Sequence, residues 1–319
     1  ARQLYGGSIT QFGVSFQKFD WHVDWADVTD PASIKAAIGP KTKAVFIESI
    51  ANPGGLVTDI AAIADIANQA GIPLIVDNTL ASPYLCKPLS HGADIVLHSA
   101  TKFLGGHGNS MGGIIVDGGK FNWSASDKYP SLSQPNDGYH GMKLHETFGE
   151  IAFAIACRVI GLRDLGPAIS PMNAFMIITG IETLHLRMPR HCENALKVAE
   201  HLKAHDAVSW VSYAGLADDP SHDLMKKYSP KGAGSVFTFG VKGGYDAGVK
   251  LANNVNLLSL LANVGDTRSL IIHPSSTTHR QLTEEQQKAA GAGPDVVRLS
   301  VGLEDAADII ADLDQALSA

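Results

Sequence analysis

The sequence predicts an α/β protein with a mainly parallel sheet, followed by a smaller α+β domain. In the first half, short apolar runs alternate with an amphipathic helical pattern, which is typical of βαβ units. In the second half, strand-like runs lie between longer helical patterns. The chain has 319 residues, 45% of them hydrophobic, which is enough for two domains with a buried core. We place the boundary near residue 170, giving domains 1–170 and 171–319.

The first half contains the clearest secondary-structure patterns. Asp59 can cap a helix whose apolar residues recur at helical spacing from Ile60 to Ala67. Gly71 and Pro73 then end that helix. Short apolar runs predict strands at 44–47, 72–76, 95–98 and 113–116. Strands separated by helices predict parallel pairing in this sheet.

The second half and the two ends of the chain give weaker patterns. Residues 1–7 are predicted to be the end of a strand that runs into a turn, so we expect the chain to begin inside the first domain. Residues 117–141, rich in Gly, Ser, Pro and aromatic residues, predict a long surface insertion. Helices are predicted at 173–186, 191–205 and 304–317, and strands at 208–213, 235–241 and 296–301.

Composition excludes several classes of protein. Lys and Arg number 25 against 32 Asp and Glu, giving a net charge of −7 at pH 7, unlike the basic surface of a nucleic-acid-binding protein. No apolar run approaches the roughly 18 residues of a membrane span. Cys86, Cys157 and Cys192 have unrelated spacings, which predict neither a disulfide framework nor a zinc site. We therefore expect a cytoplasmic protein that acts on small molecules without binding nucleic acid, membrane or metal.

A lysine and a carboxylate are predicted to meet at one edge of the first sheet. Asp77 follows the second strand and Lys102 the third, and open α/β sheets bind ligands at the carboxyl ends of their strands. An ordinary ion pair would explain these two residues alone. However, Ser99 and Thr101 add hydroxyls beside the lysine, and Asn52 follows the first strand. An amine, a carboxylate, an amide and hydroxyls together are the groups that pyridoxal phosphate requires.

The other candidate residues are predicted to have no catalytic or metal-binding role. His98 alternates with the apolar residues of its strand and is predicted to be structural, and His107 has no second ligand at metal spacing. The glycine-rich stretch 105–113 lacks the Lys-Ser/Thr of a P-loop, so it does not predict nucleotide binding. The three cysteines are predicted to be packed thiols rather than catalysts.

The sequence resembles the Cys/Met-metabolism family of pyridoxal-phosphate enzymes over essentially its whole length. The resemblance is carried by the motifs at 4–7 (LYGG), 48–53 (ESIANP), 76–79 (VDNT), 93–102 (ADIVLHSATK) and 297–305 (VRLSVGLED). The lysine block is the most specific of them. The resemblance implies the fold type I of PLP-dependent transferases, with an α/β large domain and a smaller C-terminal domain. It also implies a homo-oligomer, a tetramer built from dimers that share their active sites.

The resemblance implies roles for the residues that would bind the cofactor, pyridoxal 5′-phosphate. Lys102 would carry the cofactor through a Schiff base and then move protons. Asp77 would pair with the pyridinium nitrogen, and Asn52 would lie near the ring hydroxyl. Ser99 and Thr101 would contact the phosphate.

Three further residues are implied to act on the ring or the substrate. Tyr5 would stack on the cofactor ring and act on the leaving group. Arg298 would bind the substrate α-carboxylate, which suits the bidentate geometry of guanidinium, with Asn263 as a second substrate-binding residue. Outside this context, Tyr5 would be interpreted as a turn aromatic and Arg298 as a surface ion-pair partner.

Local features favour the sulfhydrylase branch of the family. They are the segment 101–113, the insertion at 117–141, a basic residue within 263–270, and Gly7, where methionine γ-lyases tend to carry cysteine. This branch implies a γ-replacement in methionine biosynthesis that converts O-acetyl-L-homoserine and sulfide to L-homocysteine and acetate. A methionine γ-lyase, a cystathionine γ-synthase or lyase type of activity, and an inactive PLP-binding fragment remain alternatives.

The start of the chain leads to one more expectation. Members of the family carry, before the position of Tyr5, a backbone loop and helix N-terminus for the phosphate and a Tyr/Arg pair that reaches a neighbouring subunit. None of these precedes Tyr5 here. We therefore expect this chain to hold part of the phosphate site, and its activity in isolation to be doubtful.

Overall fold

The computed structural model describes residues 1–281 and 283–319, which form two β-sheets. The first sheet contains β1 (Val45–Glu48), β2 (Leu74–Asp77), β3 (Ile95–Ser99) and β4 (Gly113–Asp117), in that spatial order. The second contains β5 (Val208–Ser212), β6 (Val236–Val241), β7 (Ser259–Leu260), β8 (Leu270–Ile272) and β9 (Val296–Ser300). Its spatial order is β5-β6-β9-β8-β7.

Helices surround both sheets. Those before residue 170 are α1 (Gly6–Thr10), α2 (Pro31–Ala37), α3 (Ile60–Gln69), α4 (Ser82–Leu85), α5 (Pro130–Ser133), α6 (Leu144–Phe148), α7 (Ala152–Ala156) and α8 (Arg163–Leu165). Those after it are α9 (Pro171–Glu182), α10 (Leu184–Ala204), α11 (His222–Tyr228), α12 (Gly244–Asn254), α13 (Glu284–Ala289) and α14 (Ala306–Ser318). No helix in the described residues is long and apolar enough to cross a membrane.

The first sheet is mainly parallel, as predicted. β1, β2 and β3 run parallel, and the predicted helix between β1 and β2 is confirmed as α3. The carboxylate of Asp59 accepts a hydrogen bond from the amide of Ala62, and the apolar face of α3 is buried. β4 is the exception, because it pairs antiparallel with β3. A turn rather than a crossover helix joins these two strands, and parallel pairing requires a crossover.

The second sheet is mixed and mostly antiparallel. β6 pairs antiparallel with β5 and β9, whereas β7 and β8 are parallel. The predicted strands at 208–213, 235–241 and 296–301 are confirmed as β5, β6 and β9, and the closing helix is confirmed as α14. β6 is buried along its whole length, and α10 packs against β5 and α14. One large cluster of buried side chains extends across both sheets.

Three predicted segments differ from the structure. Residues 1–5 form no strand and lead into α1. α10 begins at Leu184 rather than at residue 191 and continues through Pro189. Its first turns are stabilised by packing, because the side chains of Leu184 and Met188 are buried in the core. Residues 117–141 are more than a surface insertion: Trp123 is buried and stacks on Phe153 with ring centroids 5.1 Å apart. The division into two domains stays a prediction, and its boundary falls where Ser170 caps α9.

Candidate active site

A cavity of about 90 Å³ opens at the carboxyl ends of β1, β2 and β3, beside β9. All but one of the predicted site residues line it: Tyr5, Asn52, Asp77, Ser99, Lys102, Asn263 and Arg298. The parallel strands β1, β2 and β3 place their carboxyl ends at one edge, which explains how residues far apart in sequence meet here. Two elements of the second sheet, β9 and the loop after β7, complete the cavity wall.

Lys102 lies in the turn that follows β3. Its backbone N–H donates to the carbonyl of Ser99 at 3.2 Å, and its Nζ donates to Oδ1 of Asn263. Burial, with a smaller contribution from the nearby Arg298 cation, lowers the pKa of the Lys102 amine. A lysine held in this way loses its proton more readily than a surface lysine, as a nucleophile or general base must.

Asp77 is the last residue of β2 and is held by Thr79. Its Oδ1 accepts hydrogen bonds from the backbone N–H of Thr79 at 2.9 Å and from the Thr79 hydroxyl at 2.5 Å. The same hydroxyl accepts from the N–H of Ser99 at 2.8 Å, so it links the ends of β2 and β3. Burial raises the pKa of Asp77. Thr79 was not among the predicted site residues, although it belongs to the VDNT motif.

Arg298 lies in β9 and points into the cavity rather than to the surface. Its Nη1 donates to Oδ1 of Asn52 at 3.1 Å, and its Nη2 donates to the carbonyl of Asn263 at 3.2 Å. Nε is buried and has no hydrogen-bond partner in the described residues. Burial lowers the pKa of Arg298 to about 10, so the guanidinium remains cationic at neutral pH. A cation whose hydrogen-bond partners among the described residues are neutral is well suited to a substrate carboxylate.

Glu48 also lines the cavity, although the sequence did not predict it to be a site residue. It ends β1 and is almost fully buried; Oε1 accepts from the N–H of Tyr5 at 2.7 Å and Oε2 from the N–H of Asn52 at 3.0 Å. Burial, and to a smaller extent the charge of Asp77, raises the pKa of Glu48 to about 8. Its carboxyl group therefore ties the Tyr5 segment to the Asn52 turn. The signal was present, because Glu48 begins the ESIANP motif.

Comparison with known proteins identifies the family. The sequence profile described as Cys/Met metabolism PLP-dependent enzyme matches residues 1–318. The chain belongs to this family. It is 50% identical over 323 residues to the O-acetyl-L-homoserine sulfhydrylase of Leptospira meyeri, covering 98% of this chain and 73% of the relative. It is 49% identical over 316 residues to the homocysteine synthase of Schizosaccharomyces pombe, covering 98% of this chain and 74% of that protein.

A solved structure confirms the fold class. It is the crystal structure of an O-acetylhomoserine (thiol)-lyase from Campylobacter jejuni that contains a pyridoxyl-lysine phosphate. The two folds agree with a TM-score of 0.96 at 38% identity, covering 100% of this chain and 76% of that one. The chain is thus a PLP-dependent enzyme of the Cys/Met family, and its cofactor is pyridoxal phosphate.

The residues around the cavity fit this cofactor. Lys102 offers an amine of lowered pKa, and Asp77 offers a carboxyl group that lines the same cavity. Ser99 also lines the cavity, and its hydroxyl group is the predicted phosphate ligand. Asn52 also lines the cavity, where its Oδ1 accepts a hydrogen bond from Arg298. The donor set is therefore that of a pyridoxal-phosphate site, with individual roles that remain predictions.

Several sequence candidates lie outside the cavity. Thr101 does not line it, because its hydroxyl accepts from the N–H of Gly112 at 3.1 Å; its phosphate contact stays a prediction. His98 is buried in β3, and burial lowers its pKa to about 4, which agrees with a neutral structural histidine. Arg268, the basic residue of segment 263–270, pairs with Asp266 and does not line the cavity.

His107, Cys86 and Cys192 also lie outside the cavity. Nδ1 of His107 lies 2.7 Å from the carbonyl of Gly105. Cys86 and Cys192 are buried, and burial raises the pKa of both thiols to about 11, which keeps them protonated and unreactive.

Tyr5 covers the cavity from its exposed side, and Gly7 makes room for it. The Tyr5 side chain is 53% exposed, and its ring lies so close to Gly7 that a Cβ there would overlap with Cε1 of the ring. A side chain at position 7 would therefore displace the ring. The absence of a side chain at Gly7 sets where the Tyr5 hydroxyl can lie.

Gly7→Ala is expected to lower kcat by about tenfold without unfolding the protein. The reason is that the exposed Tyr5 ring can move aside at little cost, but its hydroxyl then leaves its position at the cavity. Steady-state kinetics and a thermal melt measure the two effects. Gly6→Ala is the control, since a Cβ at Gly6 has no neighbour within 4 Å. Equal kinetics for both variants would contradict the role of the ring position.

Proposed function

We propose that this enzyme catalyses γ-replacement on O-acetyl-L-homoserine, in which sulfide displaces acetate to give L-homocysteine for methionine biosynthesis. The observation that carries the proposal is the meeting of Lys102, Asp77 and Arg298 in one cavity. The names of relatives that are 50% and 49% identical support the choice of substrate. The carbon–oxygen bond to acetate breaks and a carbon–sulfur bond forms, so no oxidant or reductant is needed.

Each residue of the cavity has its own role in this reaction. When bound, the cofactor supplies an electron sink for negative charge that develops on the substrate carbon skeleton. Asp77 would hold the ring nitrogen, and Ser99 the phosphate. Arg298 binds the α-carboxylate and fixes the amino acid in one orientation. Lys102 Nζ then accepts the Cα proton and returns it after sulfur has added.

Tyr5 lies on the exposed side of the cavity, where the γ-substituent of the substrate would leave and sulfide would enter. Its phenol can donate a hydrogen bond to the departing acetate.

A product assay tests the proposal. The holoenzyme is given O-acetyl-L-homoserine with and without sulfide. Homocysteine and acetate that form only with sulfide support γ-replacement. 2-Oxobutyrate and ammonia would instead indicate the methionine γ-lyase type, and cystathionine formed from added cysteine the cystathionine γ-synthase type. Cofactor binding without any product would indicate an inactive PLP-binding protein.

Arg298→Lys is expected to raise KM for the amino acid about 10- to 100-fold with a smaller effect on kcat. Lysine keeps the charge but loses the planar fork that matches a carboxylate. Initial-rate kinetics at saturating sulfide separate the two constants. Arg163→Lys is the control, because Arg163 donates to the Tyr139 hydroxyl at 2.6 Å, outside the cavity. Unchanged KM in Arg298→Lys would contradict carboxylate binding by Arg298.

We further propose that the enzyme is a homo-oligomer, a tetramer as the sequence resemblance implies. α9 supports this, because its large apolar side chains Met172, Phe175 and Ile178 lie on its exposed side and are 59–67% exposed. An exposed apolar face of this kind marks a protein interface. The unpaired cysteines also support a reducing, cytoplasmic location.

The double variant Phe175→Glu, Ile178→Glu is expected to lower the oligomeric state, because charges on this face cannot be buried in an interface. Light scattering on size-exclusion fractions measures the mass in solution. Lys120→Glu is the control, since Lys120 is exposed and lies outside α9. A double variant of wild-type mass would show that α9 is not the interface.

A further inference from the structure

Three polar residues of α10 point into the protein. Arg187, His191 and Asn194 are spaced so that they share one face of the helix. Their exposed fractions are 5%, 0% and 0%. None of them lines the active-site cavity. Their hydrogen bonds nevertheless hold two segments next to site residues: the turn that contains Lys102 and the chain that follows Arg298.

Arg187 holds the turn that carries the lysine, which we call the lysine turn (residues 100–106). Its Nη2 donates to the carbonyl of Leu104 at 3.3 Å and to that of Gly180, at the end of α9, at 2.8 Å. Its Nε donates to the hydroxyl of Thr183 at 3.1 Å. The lysine turn packs closely here, because a Cβ at Gly180 would overlap with the carbonyl oxygen of Gly105. One guanidinium thus fastens the lysine turn to the junction of α9 and α10.

The other two residues hold the segment that follows Arg298, which we call the β9 exit (residues 301–304). Nδ1 of His191 lies 2.7 Å from the carbonyl of Val301 and donates to it, since a carbonyl can only accept. Burial lowers the pKa of His191 to about 4, so the ring is neutral. Nδ2 of Asn194 donates to the carbonyls of Gly302 at 3.0 Å and Glu304 at 2.8 Å.

The three side chains also bury polar atoms that form no hydrogen bond, which an apolar helix face would not do. Nη1 of Arg187, Nε2 of His191 and Oδ1 of Asn194 are all buried without a hydrogen-bond partner in the described residues. No carboxylate forms an ion pair with the Arg187 guanidinium in that part of the chain. Buried polar atoms without partners destabilise a fold, and departures of this kind are expected where a protein serves function rather than stability.

We propose that Arg187, His191 and Asn194 are positioning residues that together fix Lys102 relative to Arg298. Arg187 acts through the lysine turn, and His191 and Asn194 act through the β9 exit. One rigid helix thereby sets the distance between the amine that moves the substrate proton and the cation that binds its carboxylate. A misplacement of about 1 Å between such groups is enough to slow a reaction about 100-fold. The proposal rests on the proposed function in that both residues act on one amino-acid substrate.

Two variants separate the two halves of this arrangement. Arg187→Met loosens the lysine turn and is expected to lower kcat at least about tenfold, with KM changed less than about threefold. Asn194→Leu loosens the β9 exit and is expected to do the reverse, raising KM at least about tenfold with kcat within about threefold. Arg187→Lys restores a charged donor to the same carbonyls and is expected to recover part of kcat.

A binding measurement accompanies the kinetics and needs no turnover. L-Norvaline carries the α-amine and α-carboxylate but no leaving group, and its binding is followed through the visible absorbance of the bound cofactor. Its dissociation constant is expected to rise in Asn194→Leu and to stay near wild type in Arg187→Met. If the wild type makes 2-oxobutyrate instead of homocysteine, the proposed function fails, yet this titration still decides the positioning roles.

Lys197→Met is the matched control. Lys197 is on the solvent-facing side of α10, where it pairs with Glu193 at 2.6 Å, so its loss should leave kcat, KM and norvaline binding unchanged. Melting temperatures are measured for every variant. The proposal is overturned if folded Arg187→Met has wild-type kcat, or if all variants lose kcat and affinity together in proportion to melting temperature.

Discussion

The Lys102→Ala variant is expected to lose at least about 10⁴-fold in kcat, because in the proposed mechanism one side chain provides both the attachment of the cofactor and the base. Its fold should survive. The Lys102 amine is partly buried, and burial lowers its pKa, so the protein gains little stability from the charged group. A melting temperature within about 2 °C of wild type is therefore expected.

Three measurements check this result. The rate of homocysteine formation gives turnover, the visible spectrum reports cofactor attachment, and a thermal melt reports the fold. Lys120→Ala, at an exposed position, is the control and should match wild type in all three. Turnover and wild-type absorbance retained in Lys102→Ala would refute the assignment of the lysine.

The Asp77→Asn variant is expected to lower kcat roughly 100-fold while leaving the protein at least as stable as wild type. Asparagine keeps a carbonyl oxygen that accepts the two hydrogen bonds from Thr79, so the local structure is preserved. What it loses is the negative charge that would keep the ring nitrogen of the cofactor protonated. Burial raises the pKa of Asp77, which means that the folded protein disfavours the charged form; a neutral side chain should not destabilise it.

The two properties are measured separately, by kinetics with saturating cofactor and by thermal melts. Asp30→Asn is the matched control, because Asp30 caps α2 with a hydrogen bond from the N–H of Ala32 at 3.0 Å and asparagine caps equally well. A loss of stability in Asp77→Asn that parallels its loss of activity would argue for a purely structural carboxylate.

Local sequence patterns predicted the strand ends well. β1, β2 and β3, helix α3 and the residues at the strand ends follow from signals that lie within a few residues of each other. The apolar run, the Asp59 cap and the Gly71 stop are all local. Since parallel strands end at one edge, the meeting of Asp77 and Lys102 also followed. The geometry of β4 did not, because pairing direction depends on the connection rather than on the strand itself.

The partners of the site residues were harder to predict. Thr101 has the right hydroxyl at the right place in the motif, yet its contact with Gly112 turns it away from the cavity. Glu48 lies inside a quoted motif, but its role becomes visible only when Tyr5 and Asn52 are seen to share its carboxyl group. Hydrogen-bond partners are chosen by neighbours in space, which a single sequence does not specify.

The sequence by itself determined the family resemblance, the mainly parallel first sheet and the identity of the lysine and carboxylate at its edge. The tertiary structure alone decided how Arg298 and Asn263 reach that edge, across 246 residues to Asn52 and 161 residues to Lys102. It also showed that α10 connects the lysine turn to the β9 exit. The physical reason is that local propensities determine single helices and strands, whereas the position of one sheet relative to the other is determined by side-chain packing across the whole core.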